Sequence, residues 1–265
     1  MLFNLFLFTI ISVPVRTSCV KYCEILSRDD PNKQCYVKET LVGIAHSPNQ
    51  LAVDRQSNHL YFSFDSGLGE YTAAVYKLDS KEMTVLKGVN DAFAIAVDPS
   101  SRDVYFGGSY GIYKYNPVLQ TLRRLNIQNL DIWWIFVKRY VYFIKFPSLK
   151  TYCYVNGTIT ADEQLKDNLV QQMVIDVDNY KFFINNTGLY GIKKKKNQAV
   201  LLRDSPRFLS MATDNNGYVF ICSEDGIYIV SKLMQKVKKI LSLQGVLGFT
   251  FDNSNNIIYS TSHEL

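Results

Sequence analysis

A chain of 265 residues with 47% hydrophobic and 14% aromatic content can bury one large core or two modest ones, which excludes a disordered polypeptide. Its 29 Lys and Arg against 24 Asp and Glu leave a net charge of +5, too thinly spread for a dedicated nucleic-acid binder. Beyond the N-terminus no stretch approaches the roughly 20 apolar residues needed to cross a bilayer, so no membrane partner is expected.

The first element is the apolar run from Leu5 to Val13, followed by Pro14, Arg16, Thr17 and Ser18. It reads as a secretory signal over residues 1–18, leaving 19–265 as a single domain, although no Lys or Arg precedes the run. Export would permit disulfides, and five cysteines follow: Cys19, Cys23, Cys35, Cys153 and Cys222. An odd number leaves at least one thiol unbridged. Cys153, in an aromatic strand pattern, is the expected free thiol, and a bridge from Cys19, Cys23 or Cys35 to Cys222 is the expected staple. Sequons at Asn156 and Asn185 fit the same route.

From residue 51 onward the chain repeats. Apolar strands end at Asp54, Asp98, Lys138, Asp178, Asp214 and Asp252, separated by 44, 40, 40, 36 and 38 residues. After each, a polar turn leads to a second aromatic strand, such as His59-Leu60-Tyr61-Phe62 or Tyr218-Val219-Phe220. A third register, Tyr36, Tyr76, Tyr113, Tyr152, Tyr190 and Tyr228, keeps nearly the same period. Glycines at 111, 188 and 226 stand where a hairpin needs a positive φ. About 40 residues and four strands per unit is the arithmetic of a β-propeller. The sequence predicts an all-β, six-bladed propeller without helices, in which N-terminal strands around Tyr36 complete the C-terminal blade and so hide its edges.

Function is then sought where the inner strands begin. His46, His59 and His263 belong to no nucleophile or zinc motif, no phosphate loop is present, and no catalytic residue is assigned. A calcium-dependent lactonase or strictosidine-synthase-like hydrolase would need inner-strand carboxylates; Asn49, Asp91, Asp131 and Asp176 are available but no Glu, which makes it the alternative. A protein-binding scaffold is a third reading, with no partner named. The predicted ligand site is Asp91, Phe93, Asp131, Trp133, Trp134, Gln171, Arg207 and Phe208. Ring faces would stack on a flat aromatic ligand while Arg207 and the two Asp residues orient its charged ends. Strand alternation sends Trp133 and Trp134 to opposite sides, one of them into the core. The lysines at 193–196, 232, 236, 238 and 239 read as solvated edge charges.

The segments Leu51-Ala52-Val53-Asp54-Arg55, Asn129-Leu130-Asp131-Ile132-Trp133-Trp134, Gly188-Leu189-Tyr190-Gly191-Ile192-Lys193 and Cys222-Ser223-Glu224-Asp225-Gly226-Ile227-Tyr228 resemble the ommochrome-binding protein family of moths. The resemblance implies a secreted haemolymph carrier of ommochrome pigments or their tryptophan-derived precursors, with no catalysis and no cofactor besides the bound pigment. It supplies no contact residues.

Overall fold

Period-two alternation yields strands and turns alone. The computed structural model describes residues 20–23, 35–44, 50–65, 67, 69–127, 130–231 and 236–265, and among them there is no helix. The chain divides into two compact units, 1–40 and 41–265. The expected signal segment and Cys19 lie outside the described residues. In the first unit β1 (Val20–Cys23) pairs antiparallel with β2 (Cys35–Lys38), Val20 opposite Lys38 and Cys23 opposite Cys35.

The second unit is a β-propeller. Its first blade is β3 (Ala52–Asp54), β4 (His59–Asp65), β5 (Tyr71–Lys77) and β6 (Glu82–Val85). The second is β7 (Ala92–Val97), β8 (Val104–Gly108), β9 (Gly111–Asn116) and β10 (Thr121–Arg124). The third is β11 (Asp131–Lys138), β12 (Tyr140–Phe146), β13 (Lys150–Val155) and β14 (Thr158–Ala161). The fourth is β15 (Gln172–Ile175), β16 (Lys181–Asn185), β17 (Gly188–Ile192) and β18 (Val200–Arg203). The fifth is β19 (Phe208–Thr213), β20 (Val219–Ser223), β21 (Gly226–Ser231) and β22 (Lys236–Leu241). A last sheet holds only β23 (Gly248–Phe251) and β24 (Ile257–Ser260). Within each sheet consecutive strands pair, and the innermost strands touch in cyclic order from β3 through β7, β11, β15, β19 and β23 back to β3.

The expectation of six blades is corrected: five four-stranded blades form, and the last sector has two strands. Residues 35–38, with Tyr36, were expected to complete it but pair with β1 instead. What meets the chain end is the segment 41–44, through Leu41 N to Leu265 O (2.9 Å), Ile44 N to His263 O (3.0 Å) and Leu265 N to Val42 O (3.0 Å). These bonds give a single bridge, Gly43 to Glu264, rather than a strand ladder.

The recurring Asp has a local cause. Asp54, Asp98, Asp176, Asp214 and Asp252 each accept the backbone N–H two residues on, at 2.8–3.1 Å, holding the turn that follows the inner strand. In the fourth copy the turn residue is therefore Asp176, not Asp178. Counting from it makes both neighbouring repeats 38 residues long. The third copy has Lys138 instead and turns tightly on Arg139 at φ +61°. Gly111, Gly188 and Gly226 have φ of +87°, +141° and +147°, as the hairpins require.

Adjacent residues of an inner strand belong to different interfaces. Ala94 packs with Ile132, Ile135 and Phe143 of the third blade, whereas Ile95 packs with Ala52 and Tyr61 of the first. Trp134 and Ile135, and Met173 and Val174, part in the same way. At Gly107 the packing leaves no room for a side chain: a Cβ would lie 2.6 Å from Ile132. The closing interface gathers Ile44, Leu51, Val53, Leu60, Phe62, Ile258 and Leu265, and the Tyr76 hydroxyl donates to Leu41 O at 3.2 Å.

The cysteine expectation also changes. Cys222 is a fully buried free thiol on β20, pushed up to about 12 by burial, and so forms no staple. Cys153 is the other buried free thiol, raised to about 11, chiefly by burial and then by Asp162.

If residues 41–44 and 263–265 close the ring, Leu265→Ala, which empties a buried position, lowers unfolding free energy by about 2 kcal/mol or more. Urea denaturation checks this; an unchanged midpoint would contradict the closure.

Candidate functional site

Each blade is entered by its innermost strand, so all inner strands begin at one end of the ring, here termed the mouth, and finish at the Asp turns. Strands β5, β7 and β11 begin at the mouth and β12 ends there. That common register brings four rings from three blades together. Tyr71 meets Phe93 edge-on (centroids 5.2 Å), Phe93 stacks on Trp133 (4.8 Å, 28°), and Trp133 stacks on Phe146 (5.8 Å, 30°). The first three are half-buried, while Phe146 is 44% exposed.

Two carboxylates flank this row. Asp91, at φ +44°, accepts Tyr71 N (3.2 Å) and the Ser109 hydroxyl. Asp131 is half-buried, and burial, with the charge of Asp91 adding to it, holds its carboxyl above the usual range. Burial raises the Tyr71 hydroxyl too, with smaller contributions from Asp65 and Asp91.

Of the residues predicted from sequence, Asp91, Phe93, Asp131 and Trp133 come together here. Trp134 is 4% exposed and donates its ring N–H to Met173 O at 2.9 Å, in the core between the third and fourth blades. Phe208 is likewise core, edge-on to Tyr228. Gln171 bonds to Asn186 (2.6 Å), and Arg207 is exposed without a hydrogen bond or ion pair among the described residues. Tyr71 and Phe146 were missed; carrying the inner-strand register outward to the second and third strands would have found them.

The neighbouring amides Gln50 and Gln172 act as ties between blades. Gln50 donates to Ile135 O (2.8 Å) and accepts from Ile95 N (3.0 Å), joining the first three blades. Gln172 donates to Leu209 O (2.8 Å) and accepts from Met211 N (3.1 Å). Between the inner strands lies an axial cavity of about 290 Å³, lined by residues of all six, among them Ala96, Phe136, Val174, Met211 and Phe249. Exposed Gln56 and Pro99 border it, so it opens at the Asp-turn end. There Arg55 donates one N–H to Thr213 O at 2.8 Å. Burial lowers the Arg55 pKa, and the charge of Asp214 offsets part of that.

Among the described residues no group of three or more His, Cys, Asp or Glu side chains is gathered to hold a metal ion. The carboxylates considered for calcium are divided: Asp176 is engaged in its turn at the far end from Asp91 and Asp131, and Asn49 lies outside the described residues.

No protein-family model matches the sequence. Against characterised proteins the chain is 27% identical over 241 residues to the ommochrome-binding protein of Manduca sexta, covering 88% of each. The likeness to the ommochrome-binding protein runs along most of both chains. Among solved structures it is similar to one described as a putative gluconolactonase (TM-score 0.68, 8% identity, 85% of this chain and 89% of that one). It is also similar to a gluconolactonase from Xanthomonas campestris (0.62, 12%, 85% and 87%) and to the WD40 propeller domain of Doa1 (0.61, 13%, 87% and 82%). At such identities these likenesses establish the propeller fold alone.

Because the folded-state pKa of Asp131 lies above 3.8, folding favours its protonated form; that contribution is present at low pH and lost as pH rises through the raised value. Asp131→Asn, an isostere of the neutral acid, should raise the urea midpoint at about pH 7. The gain should vanish near pH 3, where the wild-type carboxyl is already protonated. A gain of equal size at both pH values would contradict this electrostatic account.

Proposed function

We propose that the protein is a secreted, non-catalytic carrier of an ommochrome pigment or its tryptophan-derived aromatic precursors, working in the haemolymph. The observation that carries this reading is similarity to an ommochrome-binding protein along 88% of both chains, joined to an aromatic row at the propeller mouth. A planar polycyclic ligand lies against the row of Phe93, Trp133 and Phe146, each ring pair contributing about 0.5–1.5 kcal/mol beyond area burial. Asp91 and Asp131 take the ammonium groups of amino-acid side arms, and a cation placed there also relieves the repulsion between the two carboxylates. Arg207, exposed just before β19, and Gln171 are the polar partners proposed for a carboxylate arm.

Titrating the protein with an ommochrome pigment and following tryptophan quenching tests the site, since Trp133 and Trp134 are its only tryptophans. Trp133→Ala should weaken binding about tenfold, the loss of one stacking partner plus its buried area. Unchanged affinity in both Trp133→Ala and Phe93→Ala would refute the placement.

Export carries its own expectations. Asn156 is exposed in the β13–β14 turn, whereas the Asn185 side chain is held by Thr187 N (2.9 Å) and the Thr187 hydroxyl (2.7 Å). Material from a secretory host should therefore lose a glycan in Asn156→Gln. Its non-reducing peptide map should leave Cys222 free. A bridged Cys222 would contradict the fold description.

A further inference from the structure

The axial cavity is separate from the aromatic row, and its chemistry is different. Arg55 offers five N–H donors, and its one partner among the described residues is the Thr213 carbonyl. The acids beside it are already engaged. Asp54 accepts Arg102 Nε (2.9 Å) and Nη2 (2.8 Å), the Ser57 hydroxyl (2.6 Å) and Gln56 N (3.1 Å). Asp214 accepts Asn216 N (3.0 Å), Tyr218 N (2.8 Å), Asn216 Nδ2 (3.4 Å) and Asn255 Nδ2 (3.1 Å). A half-buried guanidinium thus stands in the cavity wall with no ion pair among the described residues, reached only by the more distant charge of Asp214. The surrounding Ala96, Val174, Met211 and Phe249 offer an apolar body nothing to bond and much to pack against.

We propose that this cavity is a second binding site, for a compact monocarboxylate with an apolar or monocyclic aromatic body, whose carboxylate is held by Arg55 and whose body packs along the apolar channel wall. The volume of about 290 Å³ lies at the small end of ligand sites and suits a single ring rather than a fused tricycle with side arms. A planar carboxylate matches the guanidinium fork in two-point hydrogen bonding, which a neutral amide cannot do. The proposal is independent of pigment binding at the mouth.

Calorimetric titration of the full chain with benzoate and with its neutral isostere benzamide provides the test. Benzoate is expected to bind at least about tenfold more tightly than benzamide. Arg55→Gln should abolish that preference. Arg55→Lys keeps the charge but loses the fork, so it should weaken benzoate several-fold while keeping some preference; it also serves if Arg55→Gln does not fold. Equal binding of the two probes, no binding of either, or a preference surviving Arg55→Gln would overturn the assignment. Pigment titration of the same variants, read through Trp133, is a separate measurement, so failure here and failure of the carrier reading are distinguishable.

Discussion

Both faces of every blade are apolar, and this constraint governs the rest of the structure. An inner strand such as β7 sends Ala94 to one neighbour and Ile95 to the other. No blade can bury its own side chains, and a row of blades would leave an apolar face bare at each end. Closing the row into a ring removes both faces at once. The junction is where that requirement meets a chain with two ends. Leu265, Ile258 and Ile44 are buried together with the first blade, and three main-chain hydrogen bonds tie residues 41–44 to 263–265.

Circular packing also explains why ligand-binding features concentrate on the axis. Inner strands entering from the same end bring residues of equal register side by side, so aromatic residues at the starts of β7 and β11 stack across the blade boundary rather than project singly into solvent. Gln50 ties β7 and β11 to the first blade, and Gln172 ties the fourth blade to β19. Phe93 and Trp133 each stand at a break in the strand register, between Ala92 and Ala94 and between Ile132 and Trp134, so the row of rings rests on bulged strand starts held by laterally tied blades.

Much of this was legible in the sequence, because strand alternation and a repeat near 40 residues are both one-dimensional signals. The turn glycines and the pairing partners within each blade follow from them. Other features depend on three-dimensional competition. Asp176 and Asp178 both fit the repeat, and only the bonds from the backbone N–H groups of residues 178 and 180 single out the former. Tyr36 has the right spacing for the last blade, yet its strand pairs with β1. Phe208 and Trp134 stand where a mouth residue should but turn into blade interfaces, since a strand buried on both faces shows no polar side to reveal its orientation. In the sequence Arg55 is marked only by its place after the strand-ending Asp54. Its distinction, a cation in the channel wall with its nearest acids engaged elsewhere, depends on which side chains the ring brings around it.

In its proposed role this ring is a receptacle for a coloured planar molecule that leaves as it arrived. The most direct measurement is the visible absorption spectrum of the protein purified from its natural source, before and after denaturation, with the released material analysed by mass. An absorption band that shifts on denaturation, from a chromophore recovered chemically intact, is the predicted result. A colourless protein that also fails to take up added pigment, or one that returns the pigment chemically altered, would contradict it.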